Sequence, residues 1–112
     1  MADQFLYLAP LVPSHLTASY PPLQNGAALL NQPAFRGHRL GAGDLPRLER
    51  VAQGYAPRRV FVLLSKRQED YGRFNGLLPA GSVTSLAQAL QASPDFRLTY
   101  HRPAAWVFEF ER

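Results

Sequence analysis

The chain has 112 residues, 46% of them apolar, and twelve Lys/Arg against eight Asp/Glu, for a formal charge of +4. That size suits one domain, residues 1–112, with a modest core that removes about two-thirds of the unfolded chain's surface from water. With no cysteine, disulfides, thiolate metal sites and a cysteine nucleophile are excluded, while the positive balance permits phosphate-bearing partners. Eleven of the twelve bases are arginine, which suits bidentate pairing with carboxylate or phosphate and is equally what a GC-rich genome writes.

Met1-Ala2-Asp3-Gln4 lacks the basic and then apolar run of a secretion signal. From Gln4 to Phe35 no residue is formally charged, whereas all the bases and seven of the eight acids lie from Arg36 onward. This divides the domain into an uncharged, proline-rich part, 1–35, and a regular α/β part, 36–112. Pro10, Pro13, Pro21 and Pro22 interrupt the first part, so it does not supply the run of about 20 apolar residues that a membrane span needs. Such a stretch belongs in a core or against an apolar surface outside the domain. Phe5-Leu6-Tyr7-Leu8-Ala9 predicts a buried strand. Leu23 to Leu30 predicts a short helix weakened by Gly26, and Ala34 to Leu40 a second strand ending at Gly41-Ala42-Gly43.

Asp44 is positioned to cap a helix with Pro46 in its first turn. Leu45, Leu48, Val51, Ala52 and Tyr55 form its apolar stripe, and Gly54 with Pro57 ends it. Val60-Phe61-Val62-Leu63-Leu64 is apolar at every position, the pattern of a central strand covered on both sides by helices. Ser65 and Gln68 form a capping box for the next helix, with Glu69 and Arg73 paired on the solvent side and Tyr71 and Phe74 facing inward. After Gly76 and Gly81, Ser82 caps a helix whose buried face is Val83, Leu86, Ala87 and Leu90, closed by Ser93-Pro94. Arg97 to His101 and Ala105 to Glu111 make a hairpin turning at Arg102-Pro103-Ala104, with Trp106, Phe108 and Phe110 buried and Val107, Glu109 and Glu111 facing water. The expected fold is α/β: a single three-layer domain, its sheet mainly parallel, with helices on both faces and a C-terminal antiparallel hairpin.

Few residue groups suggest chemistry. His15, His38 and His101 are too widely separated for a helical metal-ligand pair, so no metal or other cofactor is expected. Ser14-His15 lacks a nucleophile elbow. Gly41-Ala42-Gly43-Asp44 lacks the third glycine of a phosphate loop and sets an acid where the phosphate would sit. Arg36, His38, Arg39, Arg58 and Arg59 are basic without interleaved aromatics, which argues against nucleic acid as a partner. Glu109 and Glu111, about 7 Å apart along one strand face, read as exposed polar residues rather than a catalytic pair. The favoured ligand position is Ser65-Lys66-Arg67, an anion site at the carboxyl end of the central strand and the start of a helix.

The stretches Val60 to Ser65, Tyr71 to Leu77, Leu86 to Leu90, Ser93 to Phe96 and Trp106 to Phe108 together resemble the C-terminal soluble tail of polytopic membrane glycosyltransferases that use dolichyl- or polyprenyl-phosphate sugars, similar to protein mannosyltransferases and aminoarabinose transferases. The resemblance implies an extracytoplasmic, periplasmic accessory domain that packs over an active site in the membrane-embedded part of the same polypeptide and touches the polyprenyl-phosphate sugar. The family's catalytic acid lies in an early membrane loop that no residue here matches, so no catalytic residue is assigned. The alternative is a free-standing cytoplasmic α/β domain binding a phosphorylated small molecule at Ser65, Lys66 and Arg67.

Overall fold

The computed structural model describes residues 3–8 and 26–111. Among these, five strands form one sheet: β1 (Gln4–Tyr7), β2 (Gly26–Ala28), β3 (Val60–Ser65), β4 (Phe96–Arg102) and β5 (Ala105–Phe110). The helices are α1 (Leu45–Gln53), α2 (Lys66–Phe74) and α3 (Ser82–Ala92), preceded by 3-10 turns at Leu29–Asn31, Pro33–Phe35 and Ala42–Asp44. The α/β class is as expected.

The sheet order is β2-β1-β3-β5-β4, so the apolar run 60–64 is indeed its centre. β1 pairs in parallel with both β2 and β3, whereas β5 runs antiparallel to both β3 and β4. The sheet is therefore mixed rather than mainly parallel. The hairpin explains this: α2 and α3 carry the chain past the neighbouring position to place β4 at the edge, and β5 folds back into the gap. The two-residue connection after Arg102 forces the antiparallel return.

Burial alternates strictly along β3, with Val60, Val62 and Leu64 buried and Phe61, Leu63 and Ser65 only partly so. The buried set joins Leu6, Leu8, Trp106, Phe108 and Phe110 in one cluster with Leu48 and Ala52 of α1 and Val83, Leu86, Ala87 and Leu90 of α3. The apolar spacings of these two helices thus meet the same side of the sheet. On the opposite side, Phe5 stacks on Phe61 with ring centroids 5.6 Å apart, and the Arg59 guanidinium lies 5.0 Å over the Phe61 ring. Cover equal on both sides of β3 was expected; among the described residues one side is closed and the other half-open.

Two local expectations need correction. Where a helix was expected over 23–30, Gly26, Ala27 and Ala28 pair with Phe5, Leu6 and Tyr7 as β2, and Leu30 N–H continues onto the Leu8 carbonyl. Side chains this small lie flat beside β1, and an isolated turn of helix gives up those interstrand bonds. Where a strand was expected over 34–40, Phe35 closes a 3-10 turn and is buried, and Gly37 takes a left-handed φ of 79° while donating to the Leu77 carbonyl. That glycine turns the chain away from the sheet. Residues 9–25, including Ser14, His15, Pro10, Pro13, Pro21 and Pro22, lie outside the described residues, as does Ala9 at the end of the expected first strand.

Candidate functional site

Ser65 stands at the junction of β3 and α2, as its sequence position implies, yet it does not cap the helix through its side chain. Its hydroxyl instead accepts a 3.3 Å hydrogen bond from Gln68 Nε2. The Lys66 N–H, one of the donors an anion would use there, is committed to the Ala104 carbonyl at 3.0 Å. Lys66 and Arg67 are exposed, and neither makes an ion pair among the described residues. The three residues are brought together in chain order.

The remainder of α2 departs further from expectation. Gln68, not an aromatic, faces the core: it is 1% exposed, its Oε1 accepts the Leu8 N–H, and its Nε2 donates to the Leu63 carbonyl at 3.0 Å. One turn later Gly72 lies so close to Leu78 that a Cβ would stand 2.9 Å from the leucine Cδ1. Glu69 does not pair with Arg73 in solvent; its Oε1 accepts the Val83 N–H at 3.0 Å, so α2 caps α3. With Gln68 and Gly72 inward, Tyr71 and Phe74 rotate out, at 44% and 92% exposed. The inward prediction for these two rings was wrong, because the carbonyl and N–H at the ends of β3 and β1 demand a polar partner that only Gln68 can supply. Arg67, Asp70, Tyr71 and Phe74 share an outer stripe at i, i+3, i+4, i+7, and a hollow of about 280 Å³ lies beside Asp70, Arg73 and Phe74.

Glu109 is also different from its sequence reading. Rather than facing water it is 9% exposed, gripped by Arg59 through bonds of 3.0 and 3.2 Å and by Arg97 at 2.9 Å. The paired guanidiniums, Arg59 first, hold its carboxyl below the usual carboxylate range despite burial. Glu111 shares Arg97. Both carboxylates are consumed in structural ion pairs, which leaves neither as a free acid or base.

The loop between the 3-10 turn Pro33–Phe35 and α1 holds an arrangement the sequence did not announce. Asp44 is buried and precedes α1, but its carboxylate turns back: Oδ2 accepts the Gly41 N–H at 2.9 Å, and Oδ1 accepts from His38 Nε2 at 2.7 Å. His38 Nδ1 faces the Arg36 carbonyl at 3.1 Å. The bond to Asp44, then the bond to the Arg36 carbonyl, raises the imidazole pKa. Arg47 approaches Asp44 and the Ala34 carbonyl, each at 3.5 Å. Of the five residues read as a basic group, Arg36 donates to the Leu30 carbonyl, Arg58 to Gln4 and Arg59 to Glu109; only His38 and Arg39 share a pocket. The spacing of His38 and Asp44 around two glycines was the available clue, and it follows no periodicity of helix or strand. Among the described residues no three histidine or acidic side chains converge as a metal site would need.

The chain matches no protein-family model, no curated protein and no solved structure.

Proposed function

We propose that this chain is a non-catalytic α/β accessory module of a membrane glycosyltransferase, resting on the extracytoplasmic face of the membrane-embedded part of the same polypeptide, with α2 as its contact surface. The observation that carries this proposal is the outward pair Tyr71 and Phe74 on a helix that also exposes Lys66, Arg67 and Arg73 against the single exposed acid Asp70. Aromatic rings flanked by bases are the chemistry of a water–lipid boundary, where the ring enters the headgroup layer and the bases meet phosphates.

Magnitudes favour a tethered module over a free one. Burying the Phe74 ring contributes about 1.5–3 kcal/mol, and two net positive charges near anionic headgroups about 2 kcal/mol more. The total of about 3.5–5 kcal/mol is a contact close to millimolar. Linkage to a membrane span supplies a millimolar effective concentration and keeps that contact formed about half the time, whereas a free domain would be mostly unbound. The proposal extends to a three-layer form of the fold, in which a further layer completes the half-open sheet face of Phe5, Phe61, Leu63 and Val107. It also leaves the polyprenyl-phosphate sugar within reach of this surface. No helix among the described residues is long and apolar enough to cross a membrane; the proposal assigns the span to the rest of the polypeptide.

To test this, the chain is anchored through a terminal His-tag to nickel-chelating vesicles, and hydrogen exchange of the α2 amides is followed. Anionic vesicles should protect α2 in the wild type and not in the Tyr71→Ser, Phe74→Ser double variant. Equal exchange in both proteins overturns the contact. Eight or more apolar spans encoded upstream of Met1 support the parent enzyme; a native start without them favours the alternative, a free-standing cytoplasmic domain binding a phosphorylated small molecule at Ser65, Lys66 and Arg67.

A further inference from the structure

The pocket beside His38 is a second surface, lined by no residue of α2. It is an open hollow of about 490 Å³, lined by His38, Arg39, Gly41, Gly43, Asp44 and Arg47 among others. Three of these side chains are cationic or can become so, and one is acidic.

The acid is not available to a cation. Both Asp44 oxygens are occupied, Oδ2 by the Gly41 N–H and Oδ1 by His38, with Arg47 at the longer 3.5 Å. The His38 ring lies between two acceptors, the Asp44 carboxylate and the Arg36 carbonyl, and only the doubly protonated ring donates to both. The carboxylate therefore neutralises the imidazolium and leaves two guanidiniums in excess.

Those guanidiniums are under-used. Arg39 has no hydrogen bond or ion pair among the described residues, and stands about as close as 3.8 Å to where a Cβ on Gly81 would be. Arg47 makes only two contacts at the 3.5 Å limit, and its guanidinium lies 6.0 Å from the Phe35 ring centroid. Each guanidinium carries five donors in a planar fork suited to bidentate anion binding. Gly43 adds access: a side chain there would meet nothing within 4 Å, so the wall is backbone facing open space.

We propose that this pocket binds a phosphate monoester of a small organic group, with the phosphate held by Arg39 and Arg47 and the organic group occupying the remaining volume. Phosphate matches two forks better than a single carboxylate does, because its oxygens can accept from both at once. The volume lies within the range of small-molecule sites and exceeds what one phosphate fills. Asp44 and His38 position the loop and do not touch the ligand's charge directly, since their polar atoms are already paired.

The test is a titration of the full chain with glucose 1-phosphate, followed by amide shifts in NMR, with inorganic phosphate and glucose as comparators. Saturable shifts should centre on Arg39, Gly41 and Gly43, stronger for glucose 1-phosphate than for inorganic phosphate and absent for glucose. Arg39→Ala should weaken binding about tenfold or more, in keeping with loss of one charge-assisted bidentate contact. Arg47→Gln is a second variant, checked for folding by its unchanged dispersed spectrum. Arg50→Ala removes the same charge from the exposed side of α1 without lining the pocket, and should leave the affinity within about twofold. No saturable shift in the wild type, equal weakening by Arg50→Ala, or shifts centred on Lys66 to Gln68 would each overturn the proposal. None of these results depends on α2 contacting a membrane.

Discussion

Gln68 shows how one polar side chain can set the orientation of a helix. Its amide serves the Leu8 N–H, the Leu63 carbonyl and the Ser65 hydroxyl together, at the point where β1 and β3 end side by side. Gln68→Leu keeps the volume but leaves the buried Leu8 N–H without an acceptor, which costs about 1–3 kcal/mol. A denaturant titration should show that loss; a change below roughly 0.5 kcal/mol, the scale of a surface substitution, would mean that the bond contributes little. Two titrating residues bracket stability in pH. Glu109 has a folded pKa below the ordinary 4.5, so its contribution is complete above that value and fades as acid carries the pH down through the depressed folded pKa. His38 has a folded pKa above the ordinary 6.5, so its contribution is complete below 6.5 and fades as the pH rises through the raised folded pKa. Urea midpoints measured from about pH 3 to pH 9 should form a dome; Glu109→Gln should flatten the acid side and His38→Gln the alkaline side. A wild-type midpoint that is level across the alkaline window would remove the role given to His38.

At the scale of elements, α2 and α3 are joined by a cap that crosses between helices. α3 begins after Gly81 at φ 83°, and its residue Ser82 turns its hydroxyl to the Pro79 carbonyl rather than to the helix N–H groups. Glu69 supplies the missing acceptor at Val83. Glu69→Ala should cost about 0.5–2 kcal/mol, the range for losing an N-terminal cap, and should speed hydrogen exchange at Val83 and its neighbours before the rest of α3. Exchange that rises uniformly over the whole chain would place the effect elsewhere. The inward directions expected for Tyr71 and Phe74 of α2 differ from those observed for one physical reason. Helical spacing identifies residues that share a face, but which face turns inward depends on what the neighbouring strands leave unsatisfied, and here that was hydrogen bonding rather than apolar area. In α1 and α3 no such demand competes, and the buried residues Leu48, Ala52, Val83, Leu86, Ala87 and Leu90 are those their spacing predicts.

The whole molecule is organised by β3, which lies between the parallel pair β1 and β2 and the C-terminal hairpin. Its two sides are unequal, so neighbouring leucines should differ. Leu64 is in the closed core, and Leu64→Ala should destabilise by about 2–5 kcal/mol; Leu63, half-buried on the other side, should cost clearly less. Equal losses would show that the second side is as tightly packed as the first. The local signals in residues 58–112 were strong enough to place β3, α2, α3 and the hairpin, because caps, apolar period and turn proline all act within a few residues of where they are written. The weaker signals around 23–40 were misassigned, since β2 exists only through pairing with a strand some twenty positions earlier.

By itself, then, the sequence determined the α/β class, the central apolar strand and the helices that cover it, since hydrophobic period and helix-end chemistry are local properties of the chain. Only the tertiary structure decided that β5 enters between β3 and β4, that Tyr71 and Phe74 face outward, that Glu109 is enclosed by two arginines, and that His38 meets Asp44 in front of α1. Each of these depends on partners distant in the chain or on a loop without periodicity, where the balance of desolvation against hydrogen bonding is settled only once the neighbouring elements are in place.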